Sequence, residues 1–283
     1  MDTRIKQIAI GIIAVLLLNG CAYDLDLKGF LGTSEAVNHR FQSSMEWTVL
    51  NQEYEITVDS TAYTFLVGGD SHVGTIINIE KMLQIAVAQG ALAVSVAGDV
   101  TTGREEGLIR TDSLFRKYPE VAKFIIPGNH DLYFNAWERY FELFGPSVYT
   151  LRVISGEEAD LFVFLDTGSG TVGLEQFTWL ESLLEEESES YRNIIIITHL
   201  NFFRNRMTGS TNPLNEEVMT LLDLFAEHSI QLVIQGHDHK RYITEFGETT
   251  YLTLDALKDG VKNASYLELR INEENISTVF HEF

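Results

Sequence analysis

Thiols are almost missing from this 283-residue chain, whose single cysteine is Cys21. No disulfide can form within one molecule, and a zinc site built from several thiolates is excluded. Basic residues are scarce as well: 20 Lys and Arg face 41 Asp and Glu, a formal net charge of −21. No nucleic-acid-binding surface is expected, because such surfaces present a basic face. Acidity does not exclude a phosphate-bearing substrate, since bound cations can invert the local field. The chain has no internal repeat, no G-x-S-x-G serine elbow and no Walker-type lysine loop.

The N-terminal apolar run, Ile8 to Leu18, is only eleven residues long. That is too short to cross a hydrocarbon layer of about 30 Å as a helix, so it reads as a signal sequence behind the basic Arg4 and Lys6. Leu18-Asn19-Gly20-Cys21 resembles a bacterial lipobox. The expectation is that residues 1–20 are removed and Cys21 is lipidated. The protein would then be held on a membrane at the non-cytoplasmic side of a bacterial envelope, in the periplasm or on the cell surface. Residues 21–59 read as anchor and tether ending in an edge strand, because Tyr54 to Val58 alternates. Residues 60–283 read as the functional domain.

Within that domain short β-rich runs alternate with amphipathic stretches. Phe65–Val67, Leu92–Ala97, Lys123–Ile126, Leu161–Leu165, Asn193–Thr198 and Gln231–Gln235 read as strands. Residues 75–89, 174–186 and the stretch after Asn212-Pro213 read as helices, and the tail from Tyr242 reads as antiparallel β. Such alternation implies sheets covered by helices, an α/β domain.

The chemistry-bearing residues fall just after these strands: Asp70-Ser71-His72, Gly98-Asp99, Gly128-Asn129-His130-Asp131, His199, and Gly236-His237-Asp238-His239. Ligands of open α/β sheets bind at the carboxyl ends of strands. Five of the eight histidines lie there. A lone histidine beside an apolar strand is usually structural, and an Asp after a strand often caps a helix. Neither explains five such blocks together. Asp, Asn and His without Cys form a hard-to-borderline ligand set suited to Mn, Fe, Zn or similar ions.

In this order the blocks resemble the calcineurin-like metallophosphoesterase family, with its D-x-H, G-D, G-N-H-D/E, H and G-H-x-H pattern, over roughly Ser60 to Phe283. The resemblance implies a two-sheet β-sandwich flanked by helices. It implies that Asp70, His72 and His239 bind one metal ion, that Asn129, His199 and His237 bind a second, and that Asp99 bridges them. It makes His130 a non-ligand histidine beside the substrate, the expected general acid, with Asp131 a candidate to orient it. Two cations about 3.5–4 Å apart polarise phosphoryl oxygens and hold a hydroxide for in-line attack on phosphorus. The implied activity is phosphomonoester or phosphodiester hydrolysis. The rival reading is a surface lipoprotein that binds metal or phosphate without turnover.

Departures from the pattern narrow the class. Gly98-Asp99-Val100-Thr101-Thr102-Gly103-Arg104 is not the G-D-Y-V-D-R-G of protein Ser/Thr phosphatases. Thr102 stands where purple acid phosphatases carry an iron-binding tyrosine, and Asn201 ends a block that many relatives write H-x-P. Gly168 to Gly173 matches G-x-G-x-x-G, yet the next strand ends in Thr198-His199 rather than an acidic residue, so no nicotinamide cofactor is expected. Arg204 and Arg206, beside Phe202 and Phe203, could present guanidinium groups and an aromatic platform to a phosphorylated substrate. A solvated loop with buried aromatics is the equal alternative.

Overall fold

The computed structural model describes residues 35–204 and 211–283. Cys21, the signal sequence and Arg206 lie outside the described residues. Two sheets pack face to face. The larger has seven strands in the order β1(Tyr54–Val58), β5(Tyr149–Ser155), β6(Glu158–Leu165), β7(Asn193–Thr198), β8(Leu232–Gln235), β10(Thr249–Thr253), β9(Tyr242–Phe246). The smaller has five, ordered β12(Ile276–Glu282), β11(Ser265–Ile271), β2(Tyr63–Gly68), β3(Ala93–Ala97), β4(Ala122–Ile126). Within them β2, β3 and β4 run parallel, as do β6, β7, β8 and β10.

The apolar runs are continuous because these strands are buried on both faces. Phe65, Val67, Phe162, Phe164, Ile195, Ile197 and Leu267 meet between the sheets. Their alternate neighbours point outward. Leu66, Val94 and Val96 pack under α2(Ile77–Gln89), α3(Glu105–Phe115) and α4(Trp137–Phe144). Val163, Ile194 and Ile196 pack under α5(Gly173–Glu187) and α6(Asn215–Glu227). The fold is the helix-flanked two-sheet sandwich that the family resemblance implied.

Two expectations need correction. The stretch read as tether contains a helix, α1(Val37–Asn51), which is part of the domain. Phe41 packs on Trp179 of α5, and the buried Arg40 forms a two-pronged ion pair with Asp166 just after β6, Nε to Oδ2 at 2.7 Å and Nη2 to Oδ1 at 3.0 Å. Its strand, β1, does lie at the sheet edge. The tail, read as one antiparallel run, divides between the sheets. β10 pairs antiparallel with β9 but parallel with β8, whereas β11 and β12 join β2 in the other sheet.

Candidate metal centre

All five polar blocks stand at the carboxyl ends of parallel strands. Asp70 and His72 follow β2, Asp99 follows β3, Asn129 and His130 follow β4, His199 follows β7, and His237 and His239 follow β8. The blocks are laced by backbone bonds: Asp70 N–H donates to Gly98 O, His72 N–H to Asp99 O, and Gly236 N–H to His199 O. The chain bends sharply at each. Asp70, His72, Asp99, His237 and His239 all have positive φ, between 42° and 73°. Left-handed backbone costs a non-glycine residue roughly 1–2 kcal/mol, and such strain gathers at functional sites. The neighbouring glycines leave room for ligand side chains. A Cβ on Gly98 would overlap the His199 ring, and one on Gly128 the Asp99 carboxylate.

These turns bring the side chains into two groups whose donor atoms lie within 4.8 Å of one another: Asp70, His72, Asp99 and His239; and Asp99, His199 and His237. Asp99 belongs to both. Its Oδ2 is 3.8 Å from His72 Nε2 and its Oδ1 is 3.5 Å from His199 Nε2, so one oxygen faces each group. In each group two ring nitrogens face one another. His72 Nε2 and His239 Nε2 are 3.1 Å apart, as are His199 Nε2 and His237 Nδ1. Two nitrogens each about 2.1 Å from a shared ion would stand at about this separation. Asn129 Oδ1 is 3.3 Å from His199 Nε2, its amide steadied by donation to Tyr133 Oη at 3.0 Å.

The electrostatics suit cations. Asp70 and Asp99 are buried, and Asp70 Oδ2 accepts the His237 N–H while Oδ1 lies 3.2 Å from His239 Nε2. Burial pushes the Asp70 carboxyl up, but the imidazoles of His239, His199 and His72 pull it further, to below the usual carboxylate range. Burial, opposed by His130 and aided by the carboxyls of Asp70 and Asp131, pushes Asp99 up to about 7. His72 and His237 are held well below the ordinary histidine value, first by burial and then by neighbouring positive groups. His72 and His237 are thus neutral, as metal binding requires. At His239 burial is outweighed by Asp70 and Asp99, which raise it, so an incoming cation would displace protons from His239 and Asp99. His199 Nδ1 lies 3.0 Å from the Ala97 carbonyl, which fixes its proton there and leaves Nε2 for a ligand. The two groups fit a two-metal site.

His130 is set apart. It falls outside both groups, its Nε2 is 3.9 Å from Asp99 Oδ2, and its side chain is 13% exposed, between the buried His72 and His199 and the more open His239. Two other expectations are corrected. Asp131 does not orient His130: its Oδ1 accepts from Thr101 N and Oγ1, and its Oδ2 from Val100 N and Gly128 N. The buried carboxylate instead joins the loops that carry Asp99 and Asn129. Nor is Arg204 offered to a substrate. Its side chain is 1% exposed and its Nε is 3.0 Å from Asp238 Oδ1. The aromatics beside it are likewise inside, Phe202 against Phe225 and Phe203 against Tyr251. Sequence reasoning missed Asp238 and Asn201, whose Nδ2 donates to Asp238 Oδ2 at 2.8 Å. Their only signal was position, one between two ligand histidines and one in place of the usual proline. The glycines of the dinucleotide-like run serve the chain itself: Gly170 lies against Asn212 and Gly173 against Val37 and Asn38.

Comparison with known proteins fits this geometry. The model of the calcineurin-like phosphoesterase family matches residues 63–241, and the chain belongs to that family. Among solved structures it is similar to a dimetal phosphatase from Danio rerio, with a TM-score of 0.60 and 14% identity over 78% of this chain and 96% of that one. It is also similar to GAP50, the anchor in the inner membrane complex of Plasmodium, with a TM-score of 0.59 and 15% identity over 78% and 84%. At these identities the likeness is one of fold. No curated protein sequence matches the chain.

Proposed function

We propose that this protein hydrolyses phosphate esters with two cations, one held by Asp70, His72 and His239, the other by Asn129, His199 and His237, and both by Asp99. The observation that carries the reading is the doubled cluster hinged on Asp99, one carboxylate oxygen toward each set of imidazoles. Oxygen and nitrogen donors without thiolate suit Mn, Fe, Zn or similar ions. When bound, two such ions supply Lewis acidity toward the phosphoryl oxygens and an acidified water for in-line attack. The chain supplies the rest. Asp99 and the imidazoles would hold the ions at the strand ends, where the substrate phosphoryl group would dock. His130, partly open to solvent at the rim and outside both ligand sets, is placed to donate a proton to the leaving oxygen. Asp131 keeps the two loops at a fixed separation.

Cys21 as a lipid anchor, with the domain on the non-cytoplasmic side of a bacterial membrane, completes the proposal. Among the described residues no helix is long and apolar enough to cross a membrane. A second reading, binding without turnover, has one observation in its favour: a protein of the same fold is named as an anchor in a membrane complex. A panel of phosphomonoesters and phosphodiesters, assayed on metal-reconstituted protein lacking residues 1–21, separates the two. Turnover of at least one class is expected, and binding without hydrolysis of any would leave only the anchor. In the same assay His130→Asn should slow esters with alkyl leaving groups about 10²–10⁴-fold while affecting p-nitrophenyl esters much less. Equal loss on both would remove the proton-donor role.

A further inference from the structure

The far ring nitrogen of a metal-binding histidine is ordinarily satisfied by a carboxylate, a carbonyl or water, which accepts its N–H and makes the ligating nitrogen more basic. His199 obeys this rule through the Ala97 carbonyl. His237 does not. Its Nε2 is 3.2 Å from the Thr211 carbonyl but 2.7 Å from Nη1 of Arg204. A guanidinium has donors and no acceptor, so it competes for the lone pair of Nε2. When Nε2 accepts from Arg204, the ring proton of a neutral His237 sits on Nδ1. That is the atom facing His199 Nε2 at 3.1 Å, and with a proton there it cannot bind a cation. When Nδ1 is free to bind, the proton is on Nε2, and the Thr211 carbonyl must take it while Arg204 gives way.

Arg204 is held firmly enough to make this competition persistent. Its Nη1 donates to Thr211 O at 2.7 Å, and its Nε meets Asp238 Oδ1 at 3.0 Å. Asp238 Oδ2 accepts from Asn201, whose Oδ1 accepts the Phe203 N–H at 2.9 Å. Asn201 lies two residues after His199, and Asp238 lies between His237 and His239. The network therefore ties together the two loops that carry three candidate ligands, and it sets a positive charge behind only one of them.

We propose that Arg204 is a positioning residue that weakens the second cation site by competing for His237. The ion held by Asn129, His199 and His237 is then the exchangeable one, while the ion at Asp70, His72 and His239 is retained. Asp238 limits the effect by neutralising the guanidinium. This rests on the two-metal reading given above.

The test is calorimetric titration of the metal-free full chain with Mn²⁺ alone. Wild type should bind in two steps, one tight and one weaker. Arg204→Met removes the competing donor and its charge, and should tighten the weaker step by about 10–100-fold, the usual reach of a group behind a ligand. Arg204→Gln, which keeps an amide to hydrogen-bond Asp238, should move it in the same direction. Asp238→Asn leaves the guanidinium uncompensated and should weaken that step by about 10-fold. Opposite signs for the Arg204 and Asp238 variants are the signature, because a merely structural cross-link would weaken binding in all three. Weakening or no change in both Arg204 variants overturns the proposal, as does their failure to fold by circular dichroism. A wild type that binds only one Mn²⁺ would instead sink the two-metal reading beneath it.

Discussion

Two sets of carboxylates lie equally deep in this protein and are treated in opposite ways. Asp166 meets one edge of the Arg40 guanidinium with both its oxygens, and Asp160 is held by Arg192, Asn193 and the Tyr63 hydroxyl. These charges are closed by the chain itself. At the strand ends, Asp70 and Asp99 are faced by imidazoles, which supply no fixed positive charge. At Asp160 and Asp166 buried charge that serves architecture is paired with a permanent cation, whereas at the candidate metal centre buried charge is left open to a cation from outside. Removing one partner of a closed pair strands the other, so such pairs are costly to break. An open site inverts the sign: without its ion, the carboxylate is the liability.

The contrast breaks most visibly at Asp99. Asp99→Asn should lower turnover by about 10³-fold or more, some 4 kcal/mol of barrier, and should reduce the content of both metals. Metal analysis alongside steady-state kinetics checks this. Full activity with one tightly held ion would refute the bridging role. In the metal-free protein the same substitution should leave stability unchanged or raised, since it deletes a carboxyl lacking a countercharge.

At Asp166 the expectation is the reverse. Asp166→Asn leaves the fully buried Arg40 without its anion and should cost about 3–5 kcal/mol in urea denaturation. Metal stoichiometry should stay at the wild-type value in the folded fraction. A loss below about 1 kcal/mol would mean that α1 is not fastened by this pair, and that the residues before β1 behave more like a tether after all.

How far the sequence made this contrast legible depends on what each residue touches. The candidate ligands, which the structure brings together, were readable because a carboxylate, amide or imidazole after an apolar run has few structural uses, and five such blocks constrain one another. The strain was not, since positive φ at Asp70 or His237 is imposed by a fold that seats both beside Gly98 and Gly236. Asp131 was misread because its partners are backbone N–H groups, which carry no residue identity. Arg204 was misread because the stretch after β7 has no periodicity to distinguish a buried arginine from a solvated one. The helix α1 was missed for a related reason: of its buried residues Arg40, Phe41 and Ser44, only one is apolar, so no hydrophobic stripe betrays it. β5 differs, for Tyr149, Leu151 and Val153 alternate inward with Thr150 and Arg152 outward, a pattern present in the sequence and not read as a strand.

A smaller effect tests the open site by pH. With metals removed, burial and the neighbouring carboxyls hold Asp99 at about 7, whereas in the unfolded chain it titrates near 3.9. The folded state therefore keeps a proton that the unfolded state releases. The stability gained is complete below about pH 4 and is lost as pH rises through about 7, at a slope of at most about 1.4 kcal/mol per pH unit. His72 and His237, held below the ordinary histidine value, act with the opposite sign up to about pH 6.5. The Asp99 contribution is therefore read as a difference: chelated wild type should lose stability relative to chelated Asp99→Asn as pH rises across this range, and saturating Mn²⁺ should reverse the difference by binding the folded state. A constant difference between the two chelated proteins across this range would mean that Asp99 is already compensated by the chain.

The smallest expected effect lies between the two sets. Tyr140 on α4 is fully buried, and its hydroxyl has no hydrogen-bond partner among the described residues. Burial pushes that hydroxyl well above its ordinary value, and the charges of Asp131 and Asp166 add to the effect. It thus stands close enough to feel the carboxylate that joins the ligand loops and the one that fastens α1 while bonding to neither. The ring earns its place by packing, against Trp137 and Phe144 on the outer face of the smaller sheet. Tyr140→Phe keeps that packing and deletes only the hydroxyl, so it should be neutral or stabilising by up to about 1 kcal/mol, with metal content and turnover unchanged. A loss of more than about 1.5 kcal/mol would reveal a hydrogen bond to one of the carboxylates. The variant's metal content would then tell which: a fall would point to Asp131 and the ligand loops, and an unchanged value to Asp166 and the helix it anchors.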